Sequence, residues 1–361
     1  TTFVIMIHIM DNISGNNLHF SNTELDQLKF KLKQYRNEES DEFTKFLQKL
    51  EDTTSTSSKS FQLKINSAIA YESDFTIINE NISSEPTFFI RDLDFNISNF
   101  KILAPNLNFN LRRMSGILKQ GILVEDFRTQ FFYTPQQMDF QELYLETPYS
   151  QILGKLKFNY ERKDLKDFFN KVNLDAYFEK SLISSTDLRR FYEGFGYDHE
   201  LKINGNANGQ LNNLEVQSLK VEGLNQTEIF GDLRLINSFG DSPFTLDGYA
   251  LDIRTTYDDL IKLFPTDLEN NLPAYFKTFG LTNLNGKIEL STSEIFTVLD
   301  METELGSASV NLNFENYQSP ETVKYSGFLD VSKFDLGEFF NIKTLGNTTF
   351  NFNVNGSGFT K

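Results

Sequence analysis

Apolar and polar residues alternate with period two along most of the chain. Leu107-Asn-Phe109-Asn-Leu111, Val310-Asn-Leu312-Asn-Phe314 and Phe350-Asn-Phe352-Asn-Val354 place every apolar side chain on one face and every Asn on the other. Leu143-Tyr-Leu145, Leu156-Lys-Phe158, Leu201-Lys-Ile203, Leu233-Arg-Leu235 and Ile288-Glu-Leu290 repeat the pattern. Asn204-Gly205, Asn208-Gly209 and Asn285-Gly286 read as turns between strands, and Gly205-Asn-Ala-Asn-Gly209 as a hairpin turn. The expected fold class is therefore mostly β: an antiparallel sheet with one dry face and a few short amphipathic helices.

Helical spacing is confined to short stretches. Leu165, Phe168, Phe169 and Val172 make one apolar stripe. Residues 40–50 make another, with Phe43, Phe46, Leu47 and Leu50 on one side, followed by a Ser/Thr-rich loop from Asp52 to Ser60. The organisation expected is an N-terminal part over 1–60, holding strands, a short helix and that loop, and a repeating β-groove over 61–361.

The groove carries an internal repeat. Ser184-Ser-Thr-Asp187-Leu188, Thr256-Tyr-Asp-Asp259-Leu260 and Ser332-Lys-Phe-Asp335-Leu336 are each followed by bulky apolar residues at helical spacing. Each reads as a Ser/Thr N-cap with an acidic residue three positions on, predicting helices near 184–195, 256–264 and 332–340. Capping explains Ser184, Asp187, Thr256, Asp259, Ser332 and Asp335 without acid–base or calcium chemistry, and each cap is worth about 1 kcal/mol. The middle repeat has an extra insert, Thr266 to Phe279.

Composition narrows the chemistry. The 361 residues hold 34 Lys+Arg against 50 Asp+Glu, a net charge of −16, which disfavours nucleic acid and electrostatic attachment to anionic lipid. Cysteine is absent, so disulfides, thiolate metal sites and cysteine nucleophiles are excluded. His8, His19 and His199 are the only histidines, and His199 between Asp198 and Glu200 has no nucleophile to complete a triad. No catalytic residue, metal site or cofactor is therefore expected. The longest apolar run, Phe3 to Met10, is too short to cross a bilayer and lacks the features of a signal peptide. The chain opens without Met inside that run and reads as a fragment of something longer.

Phe is the unusual number, 37 residues against no Trp. About one short helix per repeat is too little to roof the roughly five strands expected in each. Sandwich, barrel and a long sheet curled into an elongated half-pipe are the candidate solutions, and repetition favours the last. A trough lined by Phe, Leu and Ile suits acyl chains, because exposing a 16-carbon chain to water costs on the order of 10 kcal/mol. The candidate lining is Leu107, Phe109, Leu111, Leu143, Leu145, Leu156, Phe158, Leu201, Ile203, Leu233, Leu235, Ile288, Leu290, Val310, Leu312, Phe314, Phe350 and Phe352.

Several segments carry a family likeness. They are Leu145-Glu-Thr147-Pro-Tyr-Ser150, Gly154-Lys-Leu156-Lys-Phe158-Asn-Tyr160, Asp167-Phe168-Phe169-Asn-Lys171-Val172 and Ile183-Ser184-Ser-Thr-Asp187-Leu188. Upstream, Leu32-Lys-Gln-Tyr35 with Phe43-Thr-Lys-Phe46, and Asp92-Leu93-Asp-Phe95 with Phe100-Lys-Ile102-Leu-Ala-Pro105, extend it. Together they resemble the AsmA-like periplasmic region of TamB (translocation and assembly module) proteins of the Bacteroidota type. The resemblance implies a repeating β-groove crossing the periplasm of a Gram-negative bacterium. It also implies an inner-membrane anchor and docking on an outer-membrane barrel assembly factor, through regions this chain lacks. Phospholipid transport along the groove is the leading expectation, and a scaffold for outer-membrane protein assembly is the alternative. A carbohydrate-active β-solenoid enzyme would need paired carboxylates on an aromatic-rich polar face, and the Trp-free composition speaks against it.

Overall fold

The computed structural model describes residues 4–14, 17–38, 45, 61–119, 121–269, 272–319 and 321–358. The helix expected over 40–50 and the Ser/Thr-rich loop lie, apart from Lys45, outside these residues. The chain divides into two compact units, Thr1–Lys163 and Asp164–Lys361. Both are dominated by strands.

The first unit contains β1 (Val4–Ser14), β2 (Asn17–Asp26), β3 (Lys29–Gln34), β4 (Gln62–Asn79), β5 (Phe88–Leu103), β6 (Asn106–Leu118), β7 (Leu123–Val124), β8 (Asp126–Thr134), β9 (Gln137–Glu146) and β10 (Gln151–Asn159). β1 pairs with β2, and from β4 through β5, β6, β8 and β9 to β10 the neighbours are antiparallel. The all-antiparallel expectation fails at one place. β2 and β3 both run parallel to β4, beside its first and second halves respectively. The 27 residues between β3 and β4, 35–61, give room for the crossover that a parallel pair needs. Alternation within a strand is the same for either direction, so it could not reveal this.

The second unit begins with α1 (Phe168–Lys171), after a 3₁₀ turn over Arg162–Asp167. It continues with β11 (Asn173–Ser184), α2 (Ser185–Leu188), β12 (Glu200–Gln210), β13 (Asn213–Gly223) and β14 (Thr227–Ile236). The second repeat is β15 (Thr245–Thr256), α3 (Tyr257–Leu263), α4 (Pro265–Leu268), β16 (Leu281–Ser291), β17 (Glu294–Thr303) and β18 (Gly306–Glu315). A 3₁₀ helix over Ala274–Phe279 precedes β16. The third repeat supplies β19 (Lys324–Asp335), α5 (Leu336–Phe340) and β20 (Asn347–Ser357). Each strand from β11 to β20 pairs antiparallel with the next. No described pairing joins β11 to β20, so this sheet is open and not a barrel. The first two repeats are each a strand, a helical segment and three strands, four strands where the sequence suggested about five.

Two devices bend these strands. One is a bulge at a residue of positive φ: Lys180 in β11, Ser218 in β13, Ala250 in β15 and Lys333 in β19. The bulged N–H is often caught by the neighbouring strand, as Lys180 by Asn204 Oδ1 (2.7 Å), Ser218 by Asp232 Oδ1 (2.7 Å) and Lys333 by Thr349 Oγ1 (3.0 Å). The other is glycine. The Asn-Gly pairs read as turns lie inside strands, with Gly205 and Gly209 in β12 and Gly286 in β16. Cross-strand partners place all nine strand glycines of this unit on the apolar side, including Gly231, Gly248 and Gly327. Low bulk on one face lets a sheet bend toward that face.

Candidate functional site

Residues paired across strands share a face, and the register therefore settles where the candidate lining lies. In the second unit, Leu312 pairs with Thr297, Thr297 with Ile288, Ile288 with Gly248 and Gly248 with Leu233. One step along the strands, Phe314, Ile295, Leu290, Leu246 and Leu235 form a parallel line. On the other side, Val310, Leu329 and Phe352 make a third line, and Ala308, Val331 and Phe350 a fourth. Ile203, paired with Ser181 and Val221, continues the fourth line, and Leu201 lies two residues along β12 on the same face.

The first unit has its own apolar face. Phe109, Phe131, Phe140 and Leu156 are successive partners, with Leu107, Tyr133, Met138 and Phe158 alongside. Rings run from strand to strand: Phe100–Phe109 at 6.1 Å, Phe109–Phe131 at 5.0 Å, Phe131–Phe140 at 4.8 Å and Phe140–Phe158 at 6.4 Å. Leu111 pairs with Thr129, Leu143 with Gly154, and Leu145 with Phe127 and Ile152 on the same side.

These faces are incompletely covered. Leu107, Leu111, Leu143 and Leu201 are buried, Phe352 is 43 % exposed, and the other candidate lining residues are half-buried. Phe334, at 6 % exposure, is the only buried Phe among the described residues. It belongs to a cluster with Leu305, Ala308 and Val331, roofed by Phe279, Leu336 and Phe339. The repeat helices that follow β11, β15 and β19, strands running in the same direction, gather at one end of the strands, whereas α1 precedes β11 and lies at the other, its Phe169 stacked on Phe239 (4.6 Å). The lines through Leu233 and Leu235 lie toward the other end. Across β13 to β20, Leu251 is the only buried side chain beyond Cα on the three lines farthest from that roof. Tyr325 is the single titratable side chain on those lines among the described residues.

Polar chemistry lies on the opposite face and at the helix ends. Lys287 is held above the usual lysine range by its hydrogen bond to Glu289 and by nearby Asp247. His199 lines a shallow depression with Glu200, Lys202, Glu222, Glu228 and Lys262, a mixed set of charges. No group of three or more His, Asp or Glu side chains placed to share a metal ion occurs among the described residues. No helix among them is long and apolar enough to cross a membrane.

The caps differ in detail from their sequence pattern. Ser184 accepts from Thr186 N–H (3.2 Å), and α2 is a single turn, far shorter than 184–195. Thr256 accepts from Asp259 N–H (3.2 Å), as the spacing requires. Ser332 is no cap: β19 continues past it, and Asp335 itself caps α5 by accepting from Glu338 N–H (3.0 Å). The bulge at Lys333 displaces the strand end, a feature that Ser-x-x-Asp spacing does not encode. Asp259 is fully buried and serves a further purpose. Its carboxylate accepts from the N–H groups of Asn225 (3.2 Å) and Gln226 (2.8 Å), the Asn225 amide (3.2 Å) and the Thr227 hydroxyl (3.2 Å). It thereby locks α3 to the turn between β13 and β14.

The insert of the second repeat proves to be the roof of the third, through Phe276 and Phe279 against Phe339. Its clustered aromatics were visible in the sequence, but nothing there indicated their target. No family model, curated protein or solved structure matches the chain.

Proposed function

We propose that the uncovered apolar faces carry the acyl chains of phospholipid, as a hydrophobic conduit between inner and outer membrane in the periplasm of a Gram-negative bacterium. The observation that carries this reading is the near absence of buried Phe in a chain so rich in it, with the apolar lines of β13 to β20 left partly open. A sealed core would bury those rings. A trough leaves them available, and each methylene moved onto them from water gains about 0.8 kcal/mol. Such a conduit needs no catalytic group, cofactor or metal. It fits the TamB-like, AsmA-like resemblance, in which an inner-membrane anchor and contact with an outer-membrane barrel factor come from other regions.

Mass spectrometry of organic extracts from the purified protein tests this. Phospholipid should co-purify, and Leu233→Asp or Phe109→Asp should deplete it while strand content by circular dichroism is retained. Folded protein free of lipid, yet crosslinking to unfolded barrel strands, would instead assign the faces to outer-membrane protein assembly.

A further inference from the structure

Each repeat of the second unit reaches forward to the helix of the next. After α2, Phe195 packs on Phe264 just beyond α3 (5.1 Å between ring centres), and Gly196 N–H donates to Leu263 O (2.8 Å). After α3, Tyr275, Phe276 and Phe279 surround Phe339 of α5 at 5.1, 6.0 and 5.4 Å. In both cases the segment leading into the next strand presents bulky apolar side chains, and a short helix of the following repeat covers them.

The corresponding position, at the end of α5 and just beyond it, is held by Phe340, Ile342 and Leu345, which are 53, 44 and 44 % exposed. This segment is already shaped. Ile342 N–H donates to Gly337 O (2.8 Å) and Leu345 N–H to Ile342 O (3.1 Å), while Asn341 in the left-handed region ends the helix. An exposed apolar triad on a braced backbone has little conformational entropy left to lose on binding.

We propose that Phe340, Ile342 and Leu345 form a docking site for a short capped amphipathic helix that carries a Phe at its C-terminal end. The chemistry of the occupant is read from the two covered positions, where the rings of Phe264 and Phe339 are the covering groups. The inference is independent of the cargo carried by the sheet.

The test uses the intact chain and a lactam-locked peptide copying Thr256–Phe264, because so short a free peptide is not helical in water. Methyl resonances of Ile342 and Leu345 should shift saturably on titration. The small contact area makes binding weak. A peptide carrying Phe264→Asp, or a chain carrying Ile342→Asp, should weaken it by at least about tenfold. Ile342 lies at the surface, so the variant chain should keep its melting temperature. An equal response to a scrambled peptide, or none to either, overturns the proposal. Shielding of Ile342 and Leu345 that grows with protein concentration and ignores the peptide also overturns it, assigning the surface to a second copy.

Discussion

Asp259→Asn is the most discriminating perturbation of the framework that joins α3 to the sheet of the second unit. The wild-type carboxylate is fully buried and accepts from four donors, three of them on the Asn225–Thr227 turn through Oδ2. The fourth, the Asn225 side-chain amide, reaches Oδ1. An Asn carboxamide keeps one oxygen and turns an NH2 group toward donors that then have no acceptor. Hydrogen bonds to a charged group are worth about 1.5–3 kcal/mol each, and an unsatisfied buried donor costs about 1–3 kcal/mol. Partial relaxation brings the net loss to about 3–5 kcal/mol. For a unit of this size that lowers the melting temperature by about 10 °C. Amide exchange at Asn225 and Gln226 should accelerate by about 100-fold or more, as the turn detaches from α3. Asp258, exposed and paired with Lys277 at 3.0 Å, is the control, and Asp258→Asn should change little. If Asp259→Asn leaves both the melting temperature and those exchange rates at wild-type values, the carboxylate is not the lock described.

Two further outcomes are expected. Gly286 has φ +145°, and a Cβ there would strike Val298 O, so Gly286→Ala should cost about 2–3 kcal/mol in chemical denaturation. Gly346, with nothing within 4 Å of that position, should accept alanine within about 0.5 kcal/mol, and equal effects at both sites would refute the argument. Burial holds the Tyr160 hydroxyl above the ordinary tyrosine range while it donates to Thr134 O (3.3 Å). The folded state thus favours the neutral phenol. Its contribution is fully present below about pH 10, the ordinary tyrosine value, and is lost as pH rises through the higher folded value. Tyr160→Phe should flatten the alkaline end of the stability curve, and an unchanged curve would show that burial does not restrain ionisation.

The apolar alternation was enough to group the candidate lining residues of each unit on one face of its sheet, because side-chain period and cross-strand pairing share one geometry. Leu233, Ile288 and Leu312 lie in one line although 79 residues separate the first from the last. Glycine was misread for a physical reason. Asn-Gly favours a tight hairpin turn locally, but in β12 and β16 strand pairing on both sides overrides that preference and uses the missing Cβ for close approach. The parallel neighbours of β4 were hidden, since pairing direction leaves no trace in period two. Asp259 was identified as part of a cap. Its grip on a turn 33 residues earlier depends on tertiary placement that no spacing rule contains.

The placement of the three repeat helices, after β11, β15 and β19, at one end of the strands constrains how such a chain can change length. Adding or deleting a single strand would reverse the direction of everything after it and send the next helix to the opposite rim. Its roof would then be stranded there. Growth or shortening must therefore proceed in even numbers of strands, and whole repeats of four preserve the most contacts. Natural variants of this architecture should differ by such quanta, with odd-strand insertions selected against however small they are.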